Sequence, residues 1–394
     1  MKILLISFYY PPDLSAGSFR AKALIDSLRD RGPNDLQIEV ITTSPNRYSS
    51  LIGDAHEDEA YGNIRIKRLN IPPHQSGMFD QTKSFMSFAR QVLRETRGKK
   101  WDIVIGTSSR LMTATLSAAI AHRSSAKLYL DIRDLFTDTM GDLLVNSPMK
   151  MLLPAFRLIE RIVFRRAARI NVVSGGFLPH IKKVAPLHEC RVFTNGIDDE
   201  FLIERPTRIS NRDAQSKVVL YAGNMGDGQG LHNIIPVSAS ILGADAHFRL
   251  IGDGGKRKQL EVGLLLQDTT NVQILNPVPR ELLCGYYDAA DILFLHLNDQ
   301  RAFEKVLPSK LFEYAATGKP ILAGVAGYAA EFIKNEIPGA EVFAPCDAAG
   351  LVQGFHRLSK GQEHFDRTVF CKKYSRRAIM NQMADDILSV PRKN

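Results

Sequence analysis

The sequence predicts an α/β protein made of two doubly wound domains, and three observations carry that prediction. Short apolar runs of strand type alternate with amphipathic helical stretches along the whole chain. Such a βαβα rhythm implies mainly parallel sheets covered on both faces. The rhythm is interrupted by one polar stretch, ERPTRISNRDAQSK, and then restarts. Finally, 394 residues are too many for one ordinary domain and enough for two with proper cores.

In chain order, KILLISF opens the first sheet as a buried strand. No small-residue cleavage site follows it, which argues against a signal peptide. SFRAKALIDSLRDRG reads as the first helix, and IEVITTS, WDIVIGT, AKLYLDI and ARINVVS as further strands. RVFTNGIDDEFL turns sharply out of a strand at Asn195-Gly196. These elements make a first domain over 1–203, followed by a linker over 204–216. VVLYAGN, HFRLIGDG, VQILNPV, DILFLHL and PILAGVA supply the strands of a second domain over 217–375. The tail, 376–394, is helical without a strand of its own, so it is expected to pack back toward the first domain.

Composition narrows the function classes. A content of 44% hydrophobic and 24% charged residues is that of a globular protein, and no run of 18 uncharged apolar residues offers a membrane span. The four scattered cysteines lie at no metal-ligand spacing and read as reduced thiols of a cytoplasmic protein. The net charge of +9 suits phosphate-bearing ligands or anionic surfaces. Arg157, Arg161, Arg165 and Arg169 recur every fourth residue, a spacing that draws one basic stripe on a helix, with Phe156, Ile159, Ile162 and Val163 turned elsewhere. That stripe reads either as a solvated face or as a contact to an anionic membrane. Nucleic acid is not expected, because no recognition motif or interleaved aromatics accompany the charge.

Five stretches could carry chemistry. YYPPDLSAGSFR joins the first strand to the first helix, where Gly17 and Ser18 could present backbone N–H groups to a phosphate or sugar. LYLDIRDLFTD places Asp131, Arg133 and Asp134 where a strand runs into a loop, so each is a candidate general base, hydroxyl ligand or loop-ordering ion pair. Two glycine-rich turns, LYAGNMGDGQG and LIGDGGKRKQ, follow strands of the second domain and suit a nucleotide diphosphate. Neither turn fits a P-loop or a dinucleotide fingerprint, and no metal cluster is spaced for binding, so a metal-independent reaction is expected. In VLPSKLFEYAATGKPILAG, Pro308 and Ser309 read as helix-start signals, with Ser309 as the cap. Lys310 then stands ready for an anion, and Glu313 is either a ribose ligand or a capping carboxylate.

Taken in order, MKILLISFYYPPDLSAGS, DIRDLF, FTNGIDDEF, LYAGNMG, LIGDGGKRKQLE and PSKLFEYAATGKPILA resemble glycosyltransferase family 4 over nearly the whole chain. The PSKLFEY form is similar to the bacterial branch that builds O-antigen and capsule, including acetamidosugar (fucosamine-type) transferases. The resemblance implies a GT-B fold, two Rossmann-like domains facing each other across a cleft, and a retaining transferase without a cofactor. Its donor would be a nucleotide-diphosphate sugar, and its acceptor a polyprenyl-diphosphate-linked saccharide at the inner face of the cytoplasmic membrane. Glu313 matches the family's second motif glutamate, which holds the ribose, and Lys310 would lie by the diphosphate. The first glutamate's position falls at Lys305, with Glu304 one place away. The family's diphosphate-gripping basic pair falls at Asn224 and Gln229, both neutral here, so that Lys310, helped by Lys256 or Arg257, would supply the charge. Gly17, Ser18 and Gly252 complete the expected donor contacts, and Asp134 and Lys310 are the expected catalytic residues. A sugar-nucleotide 2-epimerase of the same fold and a non-catalytic basic module on lipid or RNA are the alternatives.

Overall fold

The computed structural model describes residues 1–13, 15–45, 56–72, 78–108, 110–143, 148–203 and 216–391. The chain divides into two compact units, Met1–Asn195 with Arg376–Asn394, and Gly196–Ser375. Almost all of the expected linker, 204–215, lies outside the described residues.

The first unit is built on an eight-stranded sheet in the order β3-β4-β2-β1-β5-β6-β7-β8. Its strands are β1 (Lys2–Ile6), β2 (Gln37–Thr43), β3 (Asp58–Tyr61), β4 (Ile64–Leu69), β5 (Ile103–Ser108), β6 (Lys127–Ile132), β7 (Arg169–Val172) and β8 (Cys190–Val192). All pairings are parallel except β3 with β4. β1 pairs on both sides, and Ile3, Leu4, Leu5 and Ile6 are fully buried, which is why its sequence is an unbroken apolar run instead of an alternating one. The β3–β4 hairpin was not foreseen. Its signal is the Gly62-Asn63 turn, with Gly62 at φ 58°, hidden by the charged strands DEAY and IRIKRL that flank it.

The helix Ala16–Arg31 is capped by Ser15, whose hydroxyl accepts from the Ser18 N–H at 3.1 Å. Against it packs the C-terminal helix Arg376–Leu388, burying Ile379, Met380, Met383, Ala384 and Ile387. Arg31 donates to Asp385 across that seam at 2.6 Å.

The second unit holds a six-stranded parallel sheet, β9 (Lys217–Ala222), β10 (Ala246–Ile251), β11 (Val272–Leu275), β12 (Ile292–His296), β13 (Ile321–Gly324) and β14 (Ala340–Phe343). The order β11-β10-β9-β12-β13-β14 is that of a dinucleotide-type doubly wound sheet, reversing between β9 and β12. β14 is a short edge strand, mostly half-buried and carrying Glu341, too weak a pattern to read from sequence. The boundary between units falls earlier than expected. Ile197 and Phe201 are buried in the second unit's core, and the Ile197 N–H donates to the Tyr374 carbonyl at 2.8 Å, so 196–203 belong with the second domain.

Candidate functional site

Both glycine-rich turns leave the carboxyl ends of neighbouring strands, β9 and β10, beside the point where strand order reverses. Open α/β sheets bind ligands at that point. Three backbone hydrogen bonds lock the turns together: Gly223 N–H to Ile251 O (2.9 Å), Met225 N–H to Asp253 O (2.8 Å) and Lys256 N–H to Met225 O (2.9 Å). Only glycine permits this approach at 252, where φ is 148° and a Cβ would lie 1.8 Å from the Gly223 carbonyl oxygen.

From the other side, residues at the end of β12 hold the first turn. His296 is buried, with Nδ1 2.6 Å from the Gln229 carbonyl oxygen and Nε2 accepting from the Cys346 N–H at 2.9 Å. Those partners place the proton on Nδ1, and burial pushes the imidazolium pKa down to about 4, so the ring is neutral at ordinary pH. Asn298 adds two bonds, Nδ2 to Asp227 O and its own N–H to Gly228 O, each 2.9 Å. Sequence reasoning missed both residues, since each reads as an ordinary polar residue after a strand.

Within this frame the expected donor residues have diverse surroundings. The Asn224 and Gln229 amides hydrogen-bond each other at 2.7 Å, and Gln229 Oε1 also accepts from the Gly226 N–H. They brace the turn. Lys256 stands 3.6 Å from Asp227 and bonds Gln259. Arg257 is tied to Glu261 at 3.0 Å and Asn276 at 2.7 Å, so its charge is committed to its own helix and the β11 loop. Glu304 is exposed on the short turn Arg301–Lys305, its backbone under Gly327, while Lys305 is half-buried at the end of that turn.

Lys310 and Glu313 open the helix Lys310–Ala316, which follows the loop from β12. Ser309 does not cap it with its side chain, contrary to the sequence reading, because its backbone is already helical at φ −62°, ψ −31°. Lys310 Nζ donates to Glu313 Oε2 at 2.8 Å, and the Tyr287 hydroxyl reaches the same oxygen at 3.1 Å. Arg280 Nη2 stands 3.8 Å from the other oxygen, Oε1. Glu313 is thus an oriented, mostly buried carboxylate with cations on both sides.

In the first unit the sequence candidates separate. Asp131, at the end of β6, is buried and accepts four hydrogen bonds: Arg20 Nε and Nη2 (both 2.9 Å), Thr107 Oγ1 (3.1 Å) and Asn171 Nδ2 (2.6 Å). Burial pushes its pKa up, but the Arg20 charge and these bonds outweigh it and hold the carboxyl below its ordinary value. Asp131 is therefore a structural anchor and not a base. Ser18 is also corrected: its N–H is used by the Ser15 cap and the residue is fully buried. Gly17 lies under the Arg133 guanidinium, where a Cβ would come within 1.9 Å of Nη1. Asp134 remains a titrating candidate. Burial raises its pKa, against hydrogen bonds from the Leu135 N–H and the Thr139 hydroxyl, the latter at 3.3 Å.

Comparison with known proteins accounts for both units. The model of glycosyl transferases group 1 matches residues 203–377, and that of the glycosyl transferase 4-like domain matches residues 18–196. The chain is a GT-B glycosyltransferase. WcaI of Escherichia coli K12, named as a colanic acid biosynthesis glycosyl transferase, is 24% identical over 343 residues, 81% of this chain and 82% of its own. Among solved structures, HepE of Anabaena in complex with UDP-glucose is 15% identical, with a TM-score of 0.70 over 99% of this chain and all of its own. WaaG, a glycosyltransferase involved in lipopolysaccharide biosynthesis, gives 0.63 at 16% identity over 99% and 97%.

The basic stripe of this glycosyltransferase differs from its expected form. Arg157, Arg161 and Arg165 are exposed on the helix Leu153–Arg166, but Arg169 begins β7 and is clamped to Asp386 at 2.7 Å. Ile162 does not turn inward. It is exposed with Leu158 among the arginines, while Val163 and Phe164 take the buried face. Among the described residues, no helix is long and apolar enough to cross a membrane, and no group of three or more His, Cys, Asp and Glu could hold a metal ion.

Proposed function

We propose that this enzyme moves a sugar, an N-acetylated amino sugar, from a nucleoside diphosphate to a polyprenyl-diphosphate-linked saccharide in the assembly of a surface polysaccharide. The observation that carries the proposal is the Lys310–Glu313 pair beside two interlocked glycine turns at the reversal point of the second sheet. Glu313 Oε1 would accept from the ribose hydroxyls. Lys310 would turn from Glu313 to the diphosphate. The names of WcaI and WaaG support a polysaccharide or lipopolysaccharide setting, and the HepE complex supports a nucleotide-sugar donor. The amino sugar and retention of anomeric configuration rest on the sequence resemblance.

In this reading the bond from the anomeric carbon to the diphosphate oxygen breaks as the acceptor hydroxyl oxygen bonds to that carbon. Negative charge builds on the leaving diphosphate, and Lys310 with the turn N–H groups meets it; no metal or cofactor takes part. Losing one such preorganised donor typically costs about 3–4 kcal/mol, on the order of a hundredfold or more in rate. Asp134, with its carboxyl raised by burial, is the candidate to receive the acceptor's proton. The exposed Arg157, Arg161 and Arg165, with Leu158 and Ile162 between them, suit the anionic inner leaflet where a lipid-linked acceptor lies.

Purified enzyme incubated with candidate sugar nucleotides, with and without a polyprenyl-linked acceptor, tests the proposal. Transfer that is lost in Glu313→Ala, with unchanged melting, supports it. Epimerisation without acceptor, or no turnover of any donor, refutes it.

A further inference from the structure

The carboxylate that would hold the ribose stands in a larger charged cluster. Arg280, the first residue of the helix Arg280–Ala289, is mostly buried and lies between three carboxylates. Its Nη2 donates to Asp198 and its Nε to Glu200, both on the segment that enters the second unit, and Nη2 is 3.8 Å from Glu313 Oε1. The guanidinium also sits over the Phe201 ring at 5.0 Å. Among the described residues, the close partners of Glu313 are on one oxygen: Lys310 and Tyr287 both contact Oε2. Lys310 donates to the Tyr287 hydroxyl as well, at 3.3 Å.

This arrangement creates a conflict once a donor binds. Lys310 stands 2.8 Å from Glu313, and in the proposed reading its single compact charge is drawn from that carboxylate to the diphosphate. When it leaves, a carboxylate whose side chain is only 13% exposed loses its nearest cation. A buried carboxylate stripped of its partner is costly, and it can no longer be relied on to face the ribose. Among the described residues, Arg280 is the remaining cation near that carboxylate, 3.8 Å from Oε1. Its charge is permanent, and its planar fork is already oriented by Asp198 and Glu200.

We infer that Arg280 is a positioning residue of the donor site: fixed by Asp198 and Glu200, it keeps Glu313 turned to the ribose while Lys310 serves the diphosphate. This inference rests on the proposed donor site. It adds a division of labour in which Glu313 is shared between two cations, one that leaves on binding and one that stays. Arg280 acts through Glu313 and touches no reacting atom.

The readout is discrimination between ribose and dideoxyribose. UDP, GDP and ADP are first screened by thermal shift, and the 2′,3′-dideoxy analogue of the best binder is then compared with its ribo form by calorimetry on the full chain. Hydrogen bonds to a carboxylate make the ribo form bind about tenfold or more tightly to wild type, and Glu313→Gln reduces that ratio. Arg280→Met is expected to shrink the ratio toward one while the dideoxy analogue binds nearly as before, with Arg280→Lys restoring part of it. If Arg280→Met weakens both nucleotides equally and leaves the ratio intact, or changes neither, Arg280 is structural and the inference falls while the donor site stands. Should Arg280→Met not fold, Asp198→Asn gives the same comparison. Absence of any nucleotide binding, or a ratio unaffected by Glu313→Gln, overturns the donor site itself and the inference with it.

Discussion

Arg20→Met should destabilise the first domain more than any surface change. Both side chains of the Arg20–Asp131 pair are 1% exposed, and the guanidinium also donates to the carbonyls of Thr194 (2.7 Å) and Phe193 (2.8 Å). Removing it leaves Asp131 charged and buried with hydrogen bonds from Thr107 and Asn171 and the charge of Arg133 acting on it, and breaking such a buried pair typically costs about 3–5 kcal/mol. Two carbonyls lose a donor as well, at about 1 kcal/mol each. Against a total stability of about 5–15 kcal/mol, such a loss removes a large share. Urea denaturation at pH 7, followed by probes in each domain because two units need not melt together, measures it. Arg20→Met/Asp131→Asn should cost less than the sum of the single changes, since no uncompensated charge remains. The pH dependence has a definite sign: a carboxyl held below its ordinary pKa adds stability above that pKa and loses it as pH falls through the lowered value. Wild type should therefore lose stability in acid more steeply than the double variant. A cost under about 1 kcal/mol for Arg20→Met would refute the anchor. So would an Asp131→Asn enzyme that is fully stable yet inactive.

Asp134 has the opposite sign, because burial raises its pKa and ionising it works against folding as pH rises through that range. Asp134→Asn should melt higher than wild type at pH 8, with no gain at pH 3.5, while turnover falls; equal melting at both pH values would contradict the burial argument. Lys310→Met should lower turnover strongly and Lys310→Arg less so, as measured by steady-state kinetics, and a Met variant as fast as wild type would remove Lys310 from the reaction. Gly252→Ala should cost several kcal/mol and weaken nucleotide binding, because its Cβ would strike the Gly223 carbonyl at a backbone angle that side chains avoid. Changing Arg157 and Arg161 to Gln should weaken binding to anionic vesicles roughly tenfold or more, at about 1 kcal/mol per charge. That binding should fade with salt, and co-sedimentation insensitive to both would leave the helix a solvated face.

The α/β architecture was legible because β1, β6 and β12 are buried on both faces, and full burial writes itself as an unbroken apolar run whatever the partner strands are. Glycine turns were equally legible, since a backbone approach such as Gly252 against Gly223 admits one residue type. Less visible were elements whose stability comes from neighbours, such as the hairpin β3–β4 with its charged strands and the edge strand β14. The boundary at Asn195 was misjudged for a related reason: Ile197 and Phe201 look like any loop hydrophobics until the core that buries them is known.

Side-chain roles divide along the same line. Sequence alone determined residue type, local spacing and order, and these sufficed for two doubly wound domains, for Glu313 in the first turn of its helix and for Lys310 beside it. Only tertiary structure decided which charge meets which. Asp131 and Asp134 stand three residues apart and look alike as candidates, yet Arg20, 111 residues away in the chain, neutralises one, while burial raises the pKa of the other. Arg169 continues a helical spacing but is drawn off the helix to Asp386, 217 residues on. Arg280 shows no motif and gains its place from Asp198, Glu200 and Glu313, which folding brings together. Electrostatic energy depends on distance and burial in space, and neither is encoded by separation along the chain.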